Sequence, residues 1–407
     1  MTRGAVVITG IGVLTPAGNT VDSLWDALLT GESTAQFIDR FDASAHPIRI
    51  GCQVPVAPAP AGVSEKQLRR LDPFARFGLT AALDAFTDAG SPQTDPGRTS
   101  ILVGNAVGGR TTSDTESIRF AQGGPRSVSP LMPVVTMPNA AAVAISMALG
   151  STGPALTIAT TCASGADAIG LGAALLRGDT ADVVVAGGCE ATLTPVTLAA
   201  FAALGALSAH TGNPGRACRP FDSARDGFVM GEGATFVVLE RETDALARGA
   251  RIYGSVLGYA SGSDAHHLSR PHPQGDGAVS AMTSALRDAD LAPSAIGHIN
   301  AHGTSTRLND AVEALAIRRV FGDASVPPVT APKGVTGHLL GASGAVEAVA
   351  ALLAARRGTV PPVANHDITG PEIGLDIVAG APRRIPVAPA LSNSFGFGGH
   401  NACLIVA

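Results

Sequence analysis

An α/β fold, with mostly buried strands alternating with helices, follows from three features of the sequence. Short apolar runs rich in β-branched residues recur at strand length, many of them bounded by glycine. Helix-length patterns stand between many of these runs. The composition agrees, since 45% of the 407 residues are apolar, 15% charged and only 4% aromatic, with 49 glycines. Such a chain can bury a sizeable core of Val, Ile, Leu and Ala with close backbone approach.

In chain order the predicted strands are residues 6–9, 101–104, 155–161, 183–188 and 235–239. A second series follows at 252–257, 298–301, 329–331, 390–394 and 402–406. Helical patterns cover 164–177, 277–288, 310–320 and 342–356. The two series read as two halves of similar plan, 1–248 and 249–407, although identity between them is too weak to prove duplication. Residues 55–60 are proline-rich, and 110–130 are polar with interspersed glycine. Both stretches read as loops or cap insertions.

Several classes of function are set aside by composition. A net charge of −5 argues against broad nucleic-acid binding, which needs a basic surface. No uncharged apolar run reaches membrane-span length, and the alanine-rich stretch 140–149 is too short. At the N-terminus Gly10 and Gly12 interrupt the apolar run, so it reads as a first strand and not as a signal peptide. The five cysteines (Cys52, Cys162, Cys189, Cys218 and Cys403) are scattered without CxxC spacing. Neither a disulfide framework nor a zinc site is expected, and a reducing cytoplasm is the natural setting.

Cys162 stands out because a predicted strand ends just before it and a helix begins just after it. A helix N-terminus offers unpaired N–H groups and the positive end of the dipole, both of which favour thiolate. The small residues Ala163, Ser164 and Gly165 leave room for a substrate carbonyl. Cys162 also fits a buried packing role, the one assigned to the other four cysteines. His302 and His338 each stand beside glycine at a strand-to-loop boundary, where α/β enzymes gather chemistry. Either one alone reads equally well as a turn residue. The adjacent pair His266 and His267 lacks metal-ligand spacing.

Together these segments resemble the β-ketoacyl carrier-protein synthases with a Cys-His-His site. The matching segments are Val7-Ile-Thr-Gly-Ile-Gly, Thr161-Cys-Ala-Ser-Gly165, Arg219-Pro-Phe-Asp-Ser-Ala-Arg-Asp-Gly-Phe228 and Gly231-Glu-Gly-Ala234. Asn300-Ala-His-Gly-Thr-Ser-Thr306, Thr336-Gly-His-Leu-Leu-Gly-Ala-Ser-Gly344 and Asn393-Ser-Phe-Gly-Phe-Gly-Gly-His-Asn401 complete the set. Each is moderately specific, and the ordered set spans the chain. The resemblance implies a thiolase fold, in which two halves with five-stranded sheets form a duplicated, five-layered αβαβα sandwich. It also implies a dimer. Two histidines match the elongating synthases, whereas thiolases use a second cysteine and initiating synthases use asparagine.

Further roles follow only from the resemblance. Cys162 would carry the acyl chain, and a malonyl thioester would lose CO₂ to give the carbon nucleophile. The backbone N–H groups of Cys162 and Phe397 would form an oxyanion hole, while His302 and His338 would serve the malonyl carbonyl. Lys333, one of only two lysines, and Glu347 would fix the electrostatics of the site. Thr304 and Thr306 would bind a phosphopantetheine arm, with no separate cofactor. Phe397 would act as a gate, and Val107 and Phe201 would line the acyl channel. Lys66, Arg69, Arg70 and Arg126 would meet an acidic acyl carrier protein. Gly205 departs from the family, whose fatty-acid members often have arginine there, and so puts the usual carrier contact in doubt. The expected activity is synthase II-like elongation by a homodimer. The alternative is the catalytic ketosynthase of a type II polyketide system, paired with a chain-length factor. A carrier-binding scaffold without catalysis is the reading from a different class.

Overall fold

The structure, a computed structural model, describes residues 4–55, 59–210 and 212–407. All ten predicted runs are strands, with shifted ends. The first half holds β1 (Val6–Leu14), β2 (Thr99–Gly104), β3 (Ala155–Ile158), β4 (Val183–Glu190) and β5 (Gly233–Arg241). The second holds β6 (Gly254–Ser263), β7 (His298–Asn300), β8 (Val329–Thr330), β9 (Ala390–Gly396) and β10 (His400–Val406).

Across the sheet the order is β3-β2-β4-β5-β1-β6-β10-β9-β7-β8. Each half therefore runs third, second, fourth, fifth, first from its outer edge, which is the duplication that residue identity could not show. In each half the outer three strands are parallel and the fifth is antiparallel to both neighbours. The halves are not separate sheets, because β1 pairs with β6 through Val6↔Val256 and Ile8↔Gly254.

Burial explains the continuous apolar strands. Every residue of β1 and of β4 is buried, as expected when helices cover both faces of a sheet. One outer core packs helices Pro73–Asp88 and Ala140–Leu149 on the first half, and another packs Asp276–Asp288 and Arg307–Phe321 on the second. Between the halves lie Ser164–Arg177 and Ser343–Arg357, which share the central core.

These two central helices begin with the same three residues, Ala163-Ser-Gly165 and Ala342-Ser-Gly344. A Cβ on Gly165 would lie 2.8 Å from the Ala345 nitrogen, and one on Gly344 would lie 2.7 Å from the Ala166 nitrogen. Only glycine permits that approach, so the repeat is a packing requirement.

Residues 110–130 are not a simple loop. Arg110–Gly123 is helical although almost wholly polar. An Arg110–Asp114 pair one turn apart supports it, while the Ser113, Thr115 and Ser117 hydroxyls satisfy themselves on carbonyls four residues earlier. Part of the proline-rich stretch, residues 56–58, lies outside the described residues. All five cysteines are buried and none is disulfide-bonded. No helix of the described residues is long and apolar enough to cross a membrane.

Candidate active site

The fold brings Cys162, His302 and His338 together from three separate segments, and their sulfur and ring nitrogens lie within 4.8 Å of one another. Among the described residues no other three potential metal-ligating side chains converge in this way. They line one cavity of about 90 Å³ with Thr304, Thr306 and Phe397.

Strand β3 stops at Ile158, and a 3₁₀ turn at Thr161–Ala163 leads into the helix Ser164–Arg177. Thr161 has φ of 52°, a strained left-handed conformation for a β-branched residue. Its hydroxyl donates to the Phe397 carbonyl at 2.9 Å. A Cβ on Gly396 would lie 2.0 Å from that hydroxyl oxygen, so glycine there serves close approach of two backbones. Gly398 and Gly399 have φ of 86° and 77°, where glycine is needed for the turn itself.

The thiol departs from expectation. The Lys333 charge and the Phe397 N–H favour thiolate, yet burial is the larger effect and pushes Cys162 up to about 12. A helix N-terminus lowers a thiol pKa only while solvation of the anion is not lost, and here Cys162 is 6% exposed. Burial thus favours the thiol form of Cys162 over the thiolate.

Hydrogen bonds fix both imidazoles as neutral donors. The Leu340 N–H donates to His338 Nδ1 at 3.2 Å, so the ring proton sits on Nε2, which is 3.1 Å from the Cys162 sulfur. Lys333 Nζ lies 3.1 Å from His302 Nδ1 and donates to the His302 carbonyl at 2.5 Å. His302 thus accepts at Nδ1 and also presents Nε2–H. Burial first, and then the Lys333 charge, holds both rings well below the ordinary histidine value of 6.5. Lys333, which looks like a surface residue from composition, is fully buried and ion-paired with Glu347. Burial pushes Glu347 up to about 7 against that opposing charge.

Two buried carboxylates missed in the sequence hold the backbone of the site. Glu313 accepts from the His302 and Gly303 amides at 2.8 Å each and from Asn393 at 3.1 Å. Glu190 accepts from the Ala106 amide at 2.8 Å and the Gly341 amide at 3.1 Å, tying the first half to the second. Burial raises both carboxyls to about 7. Ser343, also missed, lies 2.9 Å from His338 Nδ1. The one visible hint was a glutamate closing the apolar run 183–189.

Thr304 and Thr306 pair through their hydroxyls at 2.9 Å on the cavity wall, and Thr306 also caps the following helix. Asp310 accepts from the Phe221 amide at 2.9 Å and lies 3.5 Å from the buried Arg225, which braces this loop from behind. Phe201 is not in the cavity wall but stacks on Phe397, with ring centroids 6.5 Å apart. Val107 does not line the cavity and is 40% exposed. Lys66, Arg69, Arg70 and Arg126 are exposed.

A cysteine nucleophile, backbone donors beside its sulfur and two neutral imidazole donors suit acyl transfer followed by stabilisation of an enolate. With the duplicated sheet, this arrangement defines an α/β protein of the thiolase fold whose site suits acyl transfer. The family model for the β-ketoacyl synthase N-terminal domain matches residues 3–245, and that for the C-terminal domain matches 253–367. A 3-oxoacyl-[acyl-carrier-protein] synthase 2 of Synechocystis is 41% identical, with 98% of this chain and 97% of that protein covered. Among solved structures, the ishigamide ketosynthase/chain length factor superposes with a TM-score of 0.93 at 34% identity, covering 100% of this chain and 99% of that one. The type II polyketide complex AntDE:AntF, a ketosynthase with its acyl-carrier protein, gives 0.91 at 30%, with the same coverage. The chain belongs to the β-ketoacyl synthase family.

Proposed function

We propose that this chain is an elongating β-ketoacyl-acyl carrier protein synthase, joining a Cys162-bound acyl group to the carbon nucleophile formed from malonyl-acyl carrier protein. The observation that carries this reading is the pair of neutral Nε2–H donors beside Cys162. In the first half-reaction the sulfur attacks the acyl thioester, the oxyanion takes the Cys162 and Phe397 amides, and the carrier leaves as a thiol. In the second, the malonyl C–C bond breaks, CO₂ departs, and His302 and His338 hold the enolate oxygen. The α-carbon then attacks the acyl-cysteine, the new C–C bond forms as the C–S bond breaks, and the departing Cys162 thiolate takes up a proton from solvent. Greater identity to the synthase 2 relative than to the polyketide ketosynthases supports the fatty-acid-type reading.

The partner of this reading is a second copy of the chain. Strand β3 is an outer edge of the sheet, and Leu156 on it is 52% exposed. Nearby in sequence Leu131, Val134, Met137, Val143 and Met147 are also exposed. An unpaired strand edge with apolar surroundings needs a cover, and the same edge on a second copy supplies it about a twofold axis. Lys66, Arg69, Arg70 and Arg126 have no ion pair among the described residues and remain available to an acidic carrier protein.

The first half-reaction is tested by intact mass after incubation with acyl-loaded carrier protein. One acyl group is expected on the wild type and none on Cys162→Ala. Acylation of the alanine variant would show that the nucleophile lies elsewhere.

A further inference from the structure

The cavity above Cys162 opens between the Thr304–Thr306 loop and a rim formed by Ser269, Arg270 and Pro271. Arg270 is the one lysine or arginine that lines the cavity among the described residues. Its guanidinium is exposed and has no hydrogen-bond or ion-pair partner among those residues. Arginines elsewhere around the site differ, since Arg216, Arg219 and Arg225 each engage a carboxylate.

The segment carrying Arg270 is anchored. The Gly398 amide donates to the Leu268 carbonyl at 2.8 Å, and the Asp264 amide donates to the Gly399 carbonyl at 2.8 Å. Asp264 is the one carboxylate lining the cavity among the described residues, and it faces other donors. It accepts from Asn401 Nδ2 at 2.8 Å and from the His272 amide at 2.9 Å. Pro271 restricts the backbone next to Arg270. A single cation without a protein partner thus stands at the entrance, while the threonines and the nucleophile lie inside.

We propose that Arg270 binds the phosphate of the phosphopantetheine arm on which the substrates are carried; this rests on the function proposed above. An arm reaching Cys162 past Thr304 and Thr306 places its thioester at the floor and its phosphodiester toward the mouth. A guanidinium suits that group, because it offers paired donors to phosphate oxygens and stays charged at any working pH. Arg270 thereby selects thioesters that carry a phosphate.

The test measures Cys162 acylation rates with three donors: acyl-carrier protein, acyl-phosphopantetheine and acyl-pantetheine, which lacks the phosphate. Arg270→Gln should raise KM by roughly tenfold for the first two with kcat unchanged, the size of one charge-assisted contact. Arg270→Lys should recover most of that loss. With acyl-pantetheine the variants and the wild type should be equal. Equal loss with all three donors, loss confined to the intact carrier protein, or no loss would each overturn the assignment. A wild-type chain that accepts none of the three donors would remove the proposed function itself, and this proposal with it.

Discussion

His302 and His338 reach the cavity with the same tautomer, each fixed from behind by a donor to Nδ1. For His338 the donor is the Leu340 amide, and for His302 it is Lys333. Neither ring needs to gain or lose a proton to present Nε2–H, so their work is electrostatic. His338→Ala should therefore lower malonyl decarboxylation by about 10²-fold or more, the usual cost of one oxyanion donor, while acylation of Cys162 falls less. Equal loss of both half-reactions would mean collapse of the site. Cys162→Gln should leave decarboxylation running without condensation. Because both imidazole values lie well below 6.5, that decarboxylation should stay level as pH is lowered to 6.5 and fail only in stronger acid. A half-loss at or above that value would show that a ring proton is at stake. Cys162, His302, His338 and Lys333 were legible in the sequence through ordered motifs. The low thiol pKa expected for Cys162 was not borne out, because burial opposes the helix end more strongly than local sequence discloses. Glu313 was not legible and Glu190 showed only as a glutamate closing an apolar run, since a buried carboxylate clamping distant amides leaves little local pattern.

The nucleophile turn and its counterpart in the second half are one device used twice. Thr161 and Leu340 both have positive φ, 52° and 47°, and each opens a 3₁₀ turn leading into a central helix. Gly341 takes the place that Cys162 holds in the first turn. A Cβ there would lie 2.6 Å from the Ala106 nitrogen and 2.8 Å from Glu190 Oε2, so Gly341→Ala should cost about 1–3 kcal/mol by overpacking. Thermal unfolding checks this, and an unchanged midpoint with full activity would contradict the close-packed turn. The ten strands of the large sheet were legible as short β-branched apolar runs, unbroken in β1 and β4 because both are buried along their whole length. The helix Arg110–Gly123 was not, because it carries ion pairs one turn apart and no apolar stripe.

For the whole molecule, the sheet is duplicated in strand order while the chemistry is divided. The first half supplies the sulfur, and the second supplies both histidines, Lys333 and Phe397. The plan was visible in the sequence as two successive series of strand-length apolar runs, and the repeated Ala-Ser-Gly marks the matching point in each half. The edge at β3 remains open, and a second copy should close it. The wild type should therefore sediment as a dimer, and Leu156→Lys combined with Met147→Glu should shift it toward monomer. A wild-type chain that sediments as a monomer would contradict that interface. Condensation tests the account most directly. The purified chain, with no other subunit, is mixed with acyl- and malonyl-loaded carrier protein, and the carrier-bound product is weighed. A 3-ketoacyl product longer by two carbons is the predicted result. Acylation of Cys162 with no extension would contradict it, and would identify the chain as one subunit of a pair with a chain-length factor.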